Sequence, residues 1–358
     1  MNATTEPAPV DRILDIGFAF WKSKALLCAV ELGLFTELGE DRLEWQALAA
    51  RLGLHLRGAR DFFDALVALQ LLDRQADGRY ANRPDCTAYL DRNNPSYIGG
   101  ALEHLNARLY PSWALLTQAL RTGLPQSGVF GNGGYAALYA ENVESAAFLN
   151  GMTGGSLMPA RVLAASFPWR DYGSVIDVGA AQGGTLVEIA RAHPHLFAGG
   201  LDLAQIEPQF ARYVSRHGLS GRLRFHAGDF LVDELPPADV LIMGRILHNW
   251  DLATKKMLLT KASRALPQRG ALIVFDSFID DARRENAKAL LASLNMLIET
   301  AGGFEYTASE CVSWMRQCGF GETRIVPLAG GQMAVIAMKG AAAAPLPIDA
   351  LADGSGRL

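Results

Sequence analysis

The second half of the chain alternates short apolar runs with amphipathic segments, and this alternation constrains the fold more than any other feature. It is typical of an α/β domain, in which helices cover both faces of a mainly parallel sheet. We predict the parallel strands at Ser174–Val178, Ala198–Leu203, Arg222–His226, Val240–Ile246 and Leu272–Phe278. The last two strands, Arg324–Leu328 and Met333–Met338, are joined by a Gly-rich connection too short for a helix. They are therefore expected to form an antiparallel hairpin.

A turn of small residues, Asp177–Gly184, follows the first of these strands and precedes a helix. Ligands bind at the carboxyl ends of the strands in such sheets. Asp202 ends the second strand, where a carboxylate can accept hydrogen bonds from ribose hydroxyls. A dinucleotide needs a glycine where this turn has Ala181, so that its pyrophosphate can approach the main chain. S-adenosylmethionine has a ribose and an adenine but no phosphate, and we predict it as the cofactor.

The pair Asp229-Phe230 follows the third strand. At this position a carboxylate can accept from the exocyclic amine of adenine, and an aromatic ring can stack on the base. The alternative for Asp229 is a structural role as a helix N-cap.

The N-terminal residues 1–105 show a different pattern. Asp11–Leu38 is helical but apolar on more than one face, which is typical of a helix that is deeply buried or packs against another subunit. Two shorter helices, Leu43–Leu52 and Arg57–Leu71, and two strands within Leu71–Tyr80 then predict a winged-helix module. Residues 1–105 contain 11 Lys and Arg against 15 Asp and Glu, a net charge of −4. DNA binding would need a basic surplus, so we predict dimerisation instead.

Four segments are expected along the chain. Residues 1–105 form the winged-helix dimerisation domain, and 106–168 a helical linker that contributes to a substrate pocket. Residues 169–340 form the cofactor-binding catalytic domain, and 341–358 a disordered tail. The linker is rich in aromatic residues, which the pattern alone assigns equally well to core or pocket, and is broken by the Gly-rich stretch Gly128–Gly134.

Bulk properties exclude several classes of protein. The net charge of −4 gives no general affinity for nucleic acid or anionic membranes. The four cysteines show neither metal-ligand nor redox spacing. A secretory signal and membrane-spanning runs are not found in the sequence, so a cytoplasmic location is expected. No metal site is expected, because no His, Asp and Glu residues cluster at ligand spacing.

Five motifs together resemble class I S-adenosylmethionine-dependent O-methyltransferases: Asp177–Gly184, Asp202, Gly228–Phe230, Leu247–Asp251 and Gly302–Thr307. The similarity is greatest to the branch of plant caffeate and flavonoid enzymes, acetylserotonin methyltransferase and bacterial natural-product enzymes, and it covers nearly the whole chain. It implies a Rossmann-like domain of seven strands with the last strand antiparallel. It also implies a preceding, mainly α-helical winged-helix domain and a homodimer formed through the N-terminal helices.

The resemblance also implies roles for individual residues. His248 would be the catalytic base, flanked by Asp276 and Glu305. The residues implied to hold the cofactor are Gly179, Asp202, Asp229, Phe230, Ser156 and Arg245. Those implied to bind the substrate are Met152, Phe148, Asn295, Met296 and Glu299.

Three residues depart from the pattern of the plant enzymes. Gly244 stands where those enzymes have a lysine near the adenine, so that Arg245 or a main-chain group would substitute. Asp276 replaces a glutamate, and Asn249 replaces an aspartate.

The residues themselves suggest how the reaction proceeds. A phenol, with a pKa of about 10, is scarcely ionised at neutral pH, whereas a histidine with a pKa near 6.5 can take its proton. A carboxylate on the other ring nitrogen of His248 would orient it, and both Asp276 and Glu305 are candidates. We predict methylation of a hydroxyl on a small aromatic natural product. C-methylation of a phenolic or tyrosine-like compound is the alternative, and a winged-helix DNA-binding regulator is less favoured.

Overall fold

The protein is described here from a computed structural model, which covers residues 9–127, 139 and 142–340. The expected tail 341–358 and the Gly-rich stretch Gly128–Gly134 lie outside the described residues. The chain divides into two compact units. Unit 1 comprises Met1–Ala114 and Asn142–Gly155, and unit 2 comprises Leu115–Glu141 and Ser156–Leu358.

Unit 1 has the predicted helices and strand ribbon at its N-terminal end. Its elements in chain order are α1 (Pro9–Glu31), α2 (Leu34–Leu38), α3 (Trp45–Arg51), α4 (Leu56–Ala68), β1 (Leu72–Arg74), β2 (Tyr80–Asn82), α5 (Pro84–Leu90), α6 (Gly99–His104), a π-helical turn (Leu105–Leu109) and α7 (Tyr110–Trp113). The predicted long first helix is divided at Gly33, which has a φ of 69° and therefore interrupts the helical backbone. Strands β1 and β2 pair in antiparallel orientation, as a wing does.

The core of unit 1 is built from the inward faces of α2, α3 and α4. Leu48, Phe63 and Leu66 are fully buried in it. Tyr80 of β2 closes the core, since its ring packs against Phe63 and its hydroxyl donates to Asp64. The first half of α1 contributes little to this core, because its large apolar side chains, including Ile16 and Trp21, are exposed.

Unit 2 contains the predicted seven-stranded sheet. Its strands are β3 (Ser174–Val178), β4 (Phe197–Asp202), β5 (Leu223–Ala227), β6 (Val240–Gly244), β7 (Ala271–Asp276), β8 (Phe320–Pro327) and β9 (Met333–Lys339). They lie in the order β5-β4-β3-β6-β7-β9-β8. Strands β3 to β7 are parallel, while β9 pairs antiparallel with both β7 and β8. The predicted α/β fold with an antiparallel terminal hairpin is confirmed.

Two strands end two residues earlier than the apolar pattern predicted. Strand β6 stops at Gly244 rather than Ile246, because Arg245 has a φ of 58°, which lies in the left-handed region. Strand β7 stops at Asp276 rather than Phe278. The apolar residues beyond each end are still buried, so hydrophobicity alone could not mark where the strands stop.

Helices cover both faces of the sheet. They are α8 (Leu116–Thr122), α9 (Asn142–Ser166, which begins in unit 1), α10 (Gly184–Ala192), α11 (Glu207–Arg216), α12 (Leu252–Ala265), α13 (Ala287–Glu299) and α14 (Ala308–Gln317). Each face of the sheet has its own buried apolar cluster. None of the helices in the described ranges has both the length and the apolar character required for a bilayer crossing.

The strand order reverses between β3 and β6. From β3 the chain runs outward to β4 and β5 and then returns to β6 on the other side of β3. A crevice opens at such a point, beyond the carboxyl ends of the strands. Asp202 and Asp276 end β4 and β7, so their carboxylates lie along this same edge.

Helix α12 begins with a side-chain cap that can be tested directly. The carboxylate of Asp251 accepts from the Thr254 N–H at 2.8 Å, and this hydrogen bond lowers the pKa of Asp251. We expect Asp251→Ala to lower the free energy of unfolding by about 1 kcal/mol, and Asp251→Asn to be nearly neutral. Chemical denaturation measures both. Because the pKa is lowered in the folded state, the ionised cap contributes at neutral pH, and the difference between wild type and Asp251→Ala should shrink as pH falls through that pKa. Equal losses in both variants would contradict the cap.

Candidate active site

The turn after β3 packs so closely against its neighbours that its first glycine has no space for a side chain. Gly179 has a φ of 75°, and a Cβ there would lie 2.3 Å from Ile246 Cδ1 and 3.6 Å from Phe230 Cε1. Ala181 has a φ of 49°, which is uncommon for a residue with a side chain. Its N–H donates to Asp202 Oδ2 at 2.8 Å, and this bond holds the turn against the end of β4.

The carboxylate of Asp202 is held by two main-chain N–H groups, one from the turn and one from Leu203, the next residue in the chain. Oδ2 accepts from Ala181 and Oδ1 accepts from the Leu203 N–H, each at 2.8 Å. Each oxygen keeps a further lone pair, which suits a pair of ligand hydroxyls. These acceptors fit the hydroxyls of a ribose, and the turn Asp177–Gly184 offers no cationic side chain for a phosphate, so the residues present fit S-adenosylmethionine.

Burial raises the pKa of two carboxyl groups at this edge of the sheet, those of Asp177 and Asp202. Burial raises the pKa of Asp202 to about 6, against the two N–H groups, which lower it. Burial and the neighbouring charge of Asp202 raise the pKa of Asp177 to about 8. Asp177 is therefore largely protonated at neutral pH, and the negative charge of this region is concentrated on Asp202.

The segment 228–233, here called the adenine loop, forms a tight turn after β5. The Asp229 N–H donates to Asp233 Oδ2, and Asp229 Oδ1 accepts from the Leu231 N–H. Phe230 is half-buried, and its ring meets the ring of Trp250 edge to face, with centroids 6.2 Å apart. Phe230 thus borders both the glycine turn and the segment after β6. The capping contact of Asp229 Oδ1 is made within this turn and not at a helix.

His248 lies in a short helical turn after β6 and is buried with two carboxylates. Its Nδ1 is 2.7 Å from Glu305 Oε1 and 3.8 Å from Asp276 Oδ1. The first distance is a hydrogen bond and the second is not. Because a carboxylate only accepts hydrogen bonds, we assign the ring proton to Nδ1, which leaves Nε2 as the basic nitrogen. Asp276 instead accepts from the Tyr306 hydroxyl at 2.5 Å.

The charges around His248 raise the pKa of its imidazole by more than burial lowers it. Burial alone would lower the pKa of the imidazole, but Glu305 and Asp276 together raise it. Burial also raises the pKa of Asp276 itself. Asp276 Oδ1 and Glu305 Oε2 are buried without a hydrogen-bond partner among the described residues. The net effect of these neighbours is to favour the imidazolium form of His248.

His248, Asp276 and Glu305 also bring potential metal-ligating atoms within 4.8 Å of one another. We expected no metal from the spacing along the chain, which cannot reveal a cluster assembled from three separate elements. The direct hydrogen bond between Nδ1 and Oε1 occupies one potential ligand atom of His248 and one of Glu305.

Close main-chain packing brings Glu305 to His248. A Cβ on Gly303 would lie 2.5 Å from the His248 carbonyl oxygen and 2.4 Å from Thr300 Oγ1. The Glu305 N–H donates to Ser293 Oγ of α13. The two glycines of the Gly302–Thr307 motif therefore allow the segment that carries Glu305 to pack closely against the segment that carries His248.

Asn249 stabilises the turn that carries His248. Its Nδ2 donates to the carbonyls of Arg245 and Ile246, at 3.0 and 3.3 Å. A carboxylate could make neither bond. The departure from aspartate at this position therefore has a local reason, because the amide ties together a turn that begins with the left-handed Arg245.

Gly244 departs from the plant pattern for a steric reason. A Cβ at this position would lie 2.1 Å from Phe275 Cζ, so the neighbouring ring fills the space of a side chain. Arg245 follows half-buried, and its N–H donates to the Phe275 carbonyl.

The residues predicted to bind substrate are divided between the two units. Phe148 and Met152 lie on the part of α9 in unit 1, where Phe148 packs edge to face on His104. Asn295, Met296 and Glu299 lie on α13 in unit 2, and Met296 and Glu299 are buried. Ser156 is half-buried on the part of α9 in unit 2.

Three residues of this region were not identified from the sequence. Tyr306 donates to Asp276, and Lys255 and Lys261 of α12 donate to main-chain carbonyls of the His248 and adenine segments. Tyr306 lies inside a recognised motif, so its neighbours offered a signal. The lysines offered none, because charged residues on a helix usually face solvent.

Comparisons with known proteins give the same picture along the whole chain. A family model described as an O-methyltransferase domain matches residues 113–321, and another described as an O-methyltransferase dimerisation domain matches residues 14–92. The tetracenomycin polyketide synthesis 8-O-methyl transferase TcmO of Streptomyces glaucescens is 42% identical, over 91% of this chain and 96% of its own.

Two further Streptomyces relatives differ in the atom that their names specify. The N,N-dimethyltransferase OxyT of Streptomyces rimosus is 37% identical over 78% of this chain and 82% of its own. The 3-hydroxy-5-methyl-1-naphthoate 3-O-methyltransferase of Streptomyces sahachiroi is 33% identical over 88% of this chain and 91% of its own.

A solved structure shares the fold. The crystal structure of human N-acetylserotonin methyltransferase in complex with S-adenosylmethionine superposes with a TM-score of 0.87 at 26% identity, covering 95% of this chain and 100% of that chain. The fold of this chain is therefore one that accommodates the cofactor for which the turn and Asp202 are suited.

The hydrogen bond between His248 and Glu305 predicts how the imidazole titrates. Glu305→Gln removes a negative charge that raises the pKa of His248, so we expect this pKa to fall. Asp281→Asn, at an exposed carboxylate that accepts from the Ser309 hydroxyl, is the control and should leave it unchanged. NMR titration of the imidazole nitrogens measures both. An unchanged His248 pKa in Glu305→Gln would contradict the assigned contact.

Proposed function

The chain belongs to the S-adenosylmethionine-dependent O-methyltransferase family, and we propose that it methylates a hydroxyl of a small aromatic natural product with His248 as the general base. The observation that carries this proposal is the buried hydrogen bond of 2.7 Å between His248 Nδ1 and Glu305 Oε1. It leaves Nε2 as a base at the edge of the sheet where the glycine turn and Asp202 also lie.

The bound cofactor supplies an electrophilic methyl group on a sulfonium. The acceptor hydroxyl must lose a proton as it attacks, and a phenol with a pKa of about 10 does so slowly without a base. His248 takes this proton on Nε2. Glu305 stabilises the imidazolium that results, and Asp276 adds a second negative charge nearby.

The cofactor would be held by residues of unit 2. Gly179 lets Ile246 and Phe230 pack against the turn, and Asp202 accepts from the ribose hydroxyls. Asp229 and Phe230 of the adenine loop recognise the base by hydrogen bonding and by stacking. Ser156 contacts the amino-acid end, and Arg245 contributes next to the adenine.

Asn295, Met296 and Glu299 are proposed to contact the acceptor. They lie on α13, whose Ser293 accepts from the Glu305 N–H, so this helix is joined directly to the acid of the catalytic pair. The aromatic nature of the acceptor is supported by the naphthoate substrate in the name of one relative.

Methylation of nitrogen is a second candidate, because OxyT is an N,N-dimethyltransferase by name. The same base could take a proton from an ammonium or an aniline nitrogen. The carbon chemical shift of the transferred methyl group in the isolated product separates oxygen, nitrogen and carbon acceptors.

Replacing His248 tests the base. We expect His248→Ala to lower kcat on phenolic acceptors by about 10²- to 10⁴-fold, because it removes general-base catalysis. Release of S-adenosylhomocysteine measures the rate, and calorimetry should show binding of this product within about twofold of wild type, since transfer chemistry is lost but the cofactor residues remain. His217→Ala, at a half-buried histidine that contacts Arg191, is the control. Equal turnover of wild type and His248→Ala would remove the base assignment.

We further propose that the chain forms a homodimer through the first half of α1. This half-helix exposes apolar side chains that a monomer would leave in water; the exposed fractions are Val10 57%, Ile13 61%, Leu14 48%, Ile16 67%, Phe18 46%, Phe20 53% and Trp21 60%. An exposed apolar patch of this kind marks an interaction surface. The match of residues 14–92 to a dimerisation domain supports a second copy as the partner.

A charge on this surface should separate the subunits. We expect Trp21→Glu to weaken dimerisation by roughly 2 kcal/mol or more, about 30-fold in Kd, because aromatic residues dominate interface energies. Light scattering across a dilution series measures the mass. Lys22→Glu reverses a charge at the adjacent, already polar position and should keep the dimer. A dimer of unchanged strength in Trp21→Glu would contradict the proposed surface.

A further inference from the structure

Two lysines of α12 are buried, although lysine is rarely buried without a partner. Lys255 is 0% exposed and Lys261 is 9% exposed. With a rise of about 1.5 Å per residue, they lie about 9 Å apart along the helix axis. Both direct their ammonium groups at main-chain carbonyls of loops that carry the candidate site.

Lys261 is bonded entirely to the adenine loop. Its Nζ donates to the carbonyls of Phe230, Leu231 and Asp233, at 3.0, 3.1 and 2.9 Å. An ammonium has three donors, so this contact uses all of them. Three carbonyls converging on one cation fix the curvature of the loop on which Asp229 and Phe230 stand.

Lys255 joins the two segments that carry the catalytic pair. Its Nζ donates to the Trp250 carbonyl at 2.5 Å, two residues after His248. It also donates to the Phe304 carbonyl at 3.2 Å, immediately before Glu305. The same ammonium lies 3.4 Å from the centroid of the Phe304 ring, a cation–π contact. One side chain thus ties the His248 turn to the Glu305 segment.

We propose that α12 positions both halves of the site, with Lys261 as a positioning residue for the adenine loop and Lys255 as a positioning residue for the His248–Glu305 pair. This inference rests on the function proposed above. It assigns separate consequences to two buried cations of one helix. Loss of Lys261 impairs cofactor binding, and loss of Lys255 impairs proton transfer.

The energetic character of these contacts supports a positioning role. Burial lowers the pKa of Lys255 to about 8, although Asp276 and Glu305 raise it, so the ammonium is held where it is costly to keep charged. Apolar side chains of similar volume are often as stabilising as buried ionic groups. Hydrogen bonds from a cation are directional, however, and hold two loops at a set distance as packing alone does not.

Methionine substitutions at the two positions keep much of the side-chain volume and remove the donors. We expect Lys261→Met to weaken S-adenosylhomocysteine binding by about tenfold, because three charge-assisted bonds to the loop are lost, with kcat at saturating cofactor within about threefold of wild type. We expect Lys255→Met to lower kcat by about 10- to 100-fold through misplacement of the base, with product binding within about twofold. Calorimetry and steady-state kinetics measure these constants.

Hydrogen exchange provides a readout that does not depend on activity. Lys261→Met should accelerate amide exchange in residues 229–233, and Lys255→Met in residues 248–251 and 302–306. Lys256→Met is the matched control, because it removes the same charge from a half-buried position on the same helix and should change neither loop. If a methionine variant does not fold, the arginine variant replaces it. Arginine keeps the charge, but its planar guanidinium cannot reproduce the ammonium contacts. The arginine variants should therefore show smaller changes of the same kind, in product binding for position 261 and in kcat for position 255.

Several results would overturn the proposal. One is unchanged product binding in Lys261→Met, and another is unchanged kcat in Lys255→Met. Exchange that rises in both loops in each variant would indicate a general loss of stability and would equally refute it. A different result would count against the proposed function and not against the positioning of the loops. In it, the wild-type protein binds S-adenosylhomocysteine and each methionine variant accelerates exchange only in its own segments, but no acceptor is methylated.

Discussion

The hydrogen bond between His248 and Glu305 is the contact on which the rest of the site depends. It joins residues 57 positions apart, so it exists only when β6, β7 and the segment before α14 are all in place. Gly303 permits the necessary closeness, and Asn249 holds the turn on which the imidazole stands. The cluster is also self-consistent electrostatically. Burial disfavours the charged imidazole, and two carboxylates favour it by more, so the fold itself sets the basicity of this histidine.

Much of this arrangement could be predicted from the sequence, because it follows from periodicity. The strand pattern places Asp202 at the carboxyl edge of the sheet, and the structure agrees. Asp276 was implied by the family resemblance alone, and the structure puts it at the same edge because β7 ends two residues earlier than predicted. The choice between Asp276 and Glu305 could not be made in this way. It depends on how far each side chain extends towards His248 Nδ1. A carboxylate oxygen of Glu305 lies 2.7 Å from this nitrogen, and one of Asp276 lies 3.8 Å from it. The roles of Lys255 and Lys261 were equally inaccessible, since both depend on loops distant in the sequence.

The site concentrates buried charge where a core designed for stability alone would have apolar groups. Asp177, Asp276 and Lys255 are all buried, and burial shifts the pKa of each towards its neutral form. Such groups persist when they are hydrogen-bonded and when their placement serves a purpose beyond stability. In unit 1 the opposite imbalance holds, because apolar side chains of α1 remain in solvent. Neither feature is one that the stability of an isolated chain alone would select.

The packing of Gly244 against Phe275 has a consequence for the evolution of this branch. The ring fills the volume that a side chain at position 244 would need, and a Cβ there would lie 2.1 Å from Phe275 Cζ. A lysine grafted from a plant relative onto position 244 would therefore be excluded unless residue 275 shrank at the same time. The two sites should covary across homologues as a large-small exchange. Each single replacement passes through a clashing or hollow intermediate, so ancestry as well as selection limits which residue can occupy position 244.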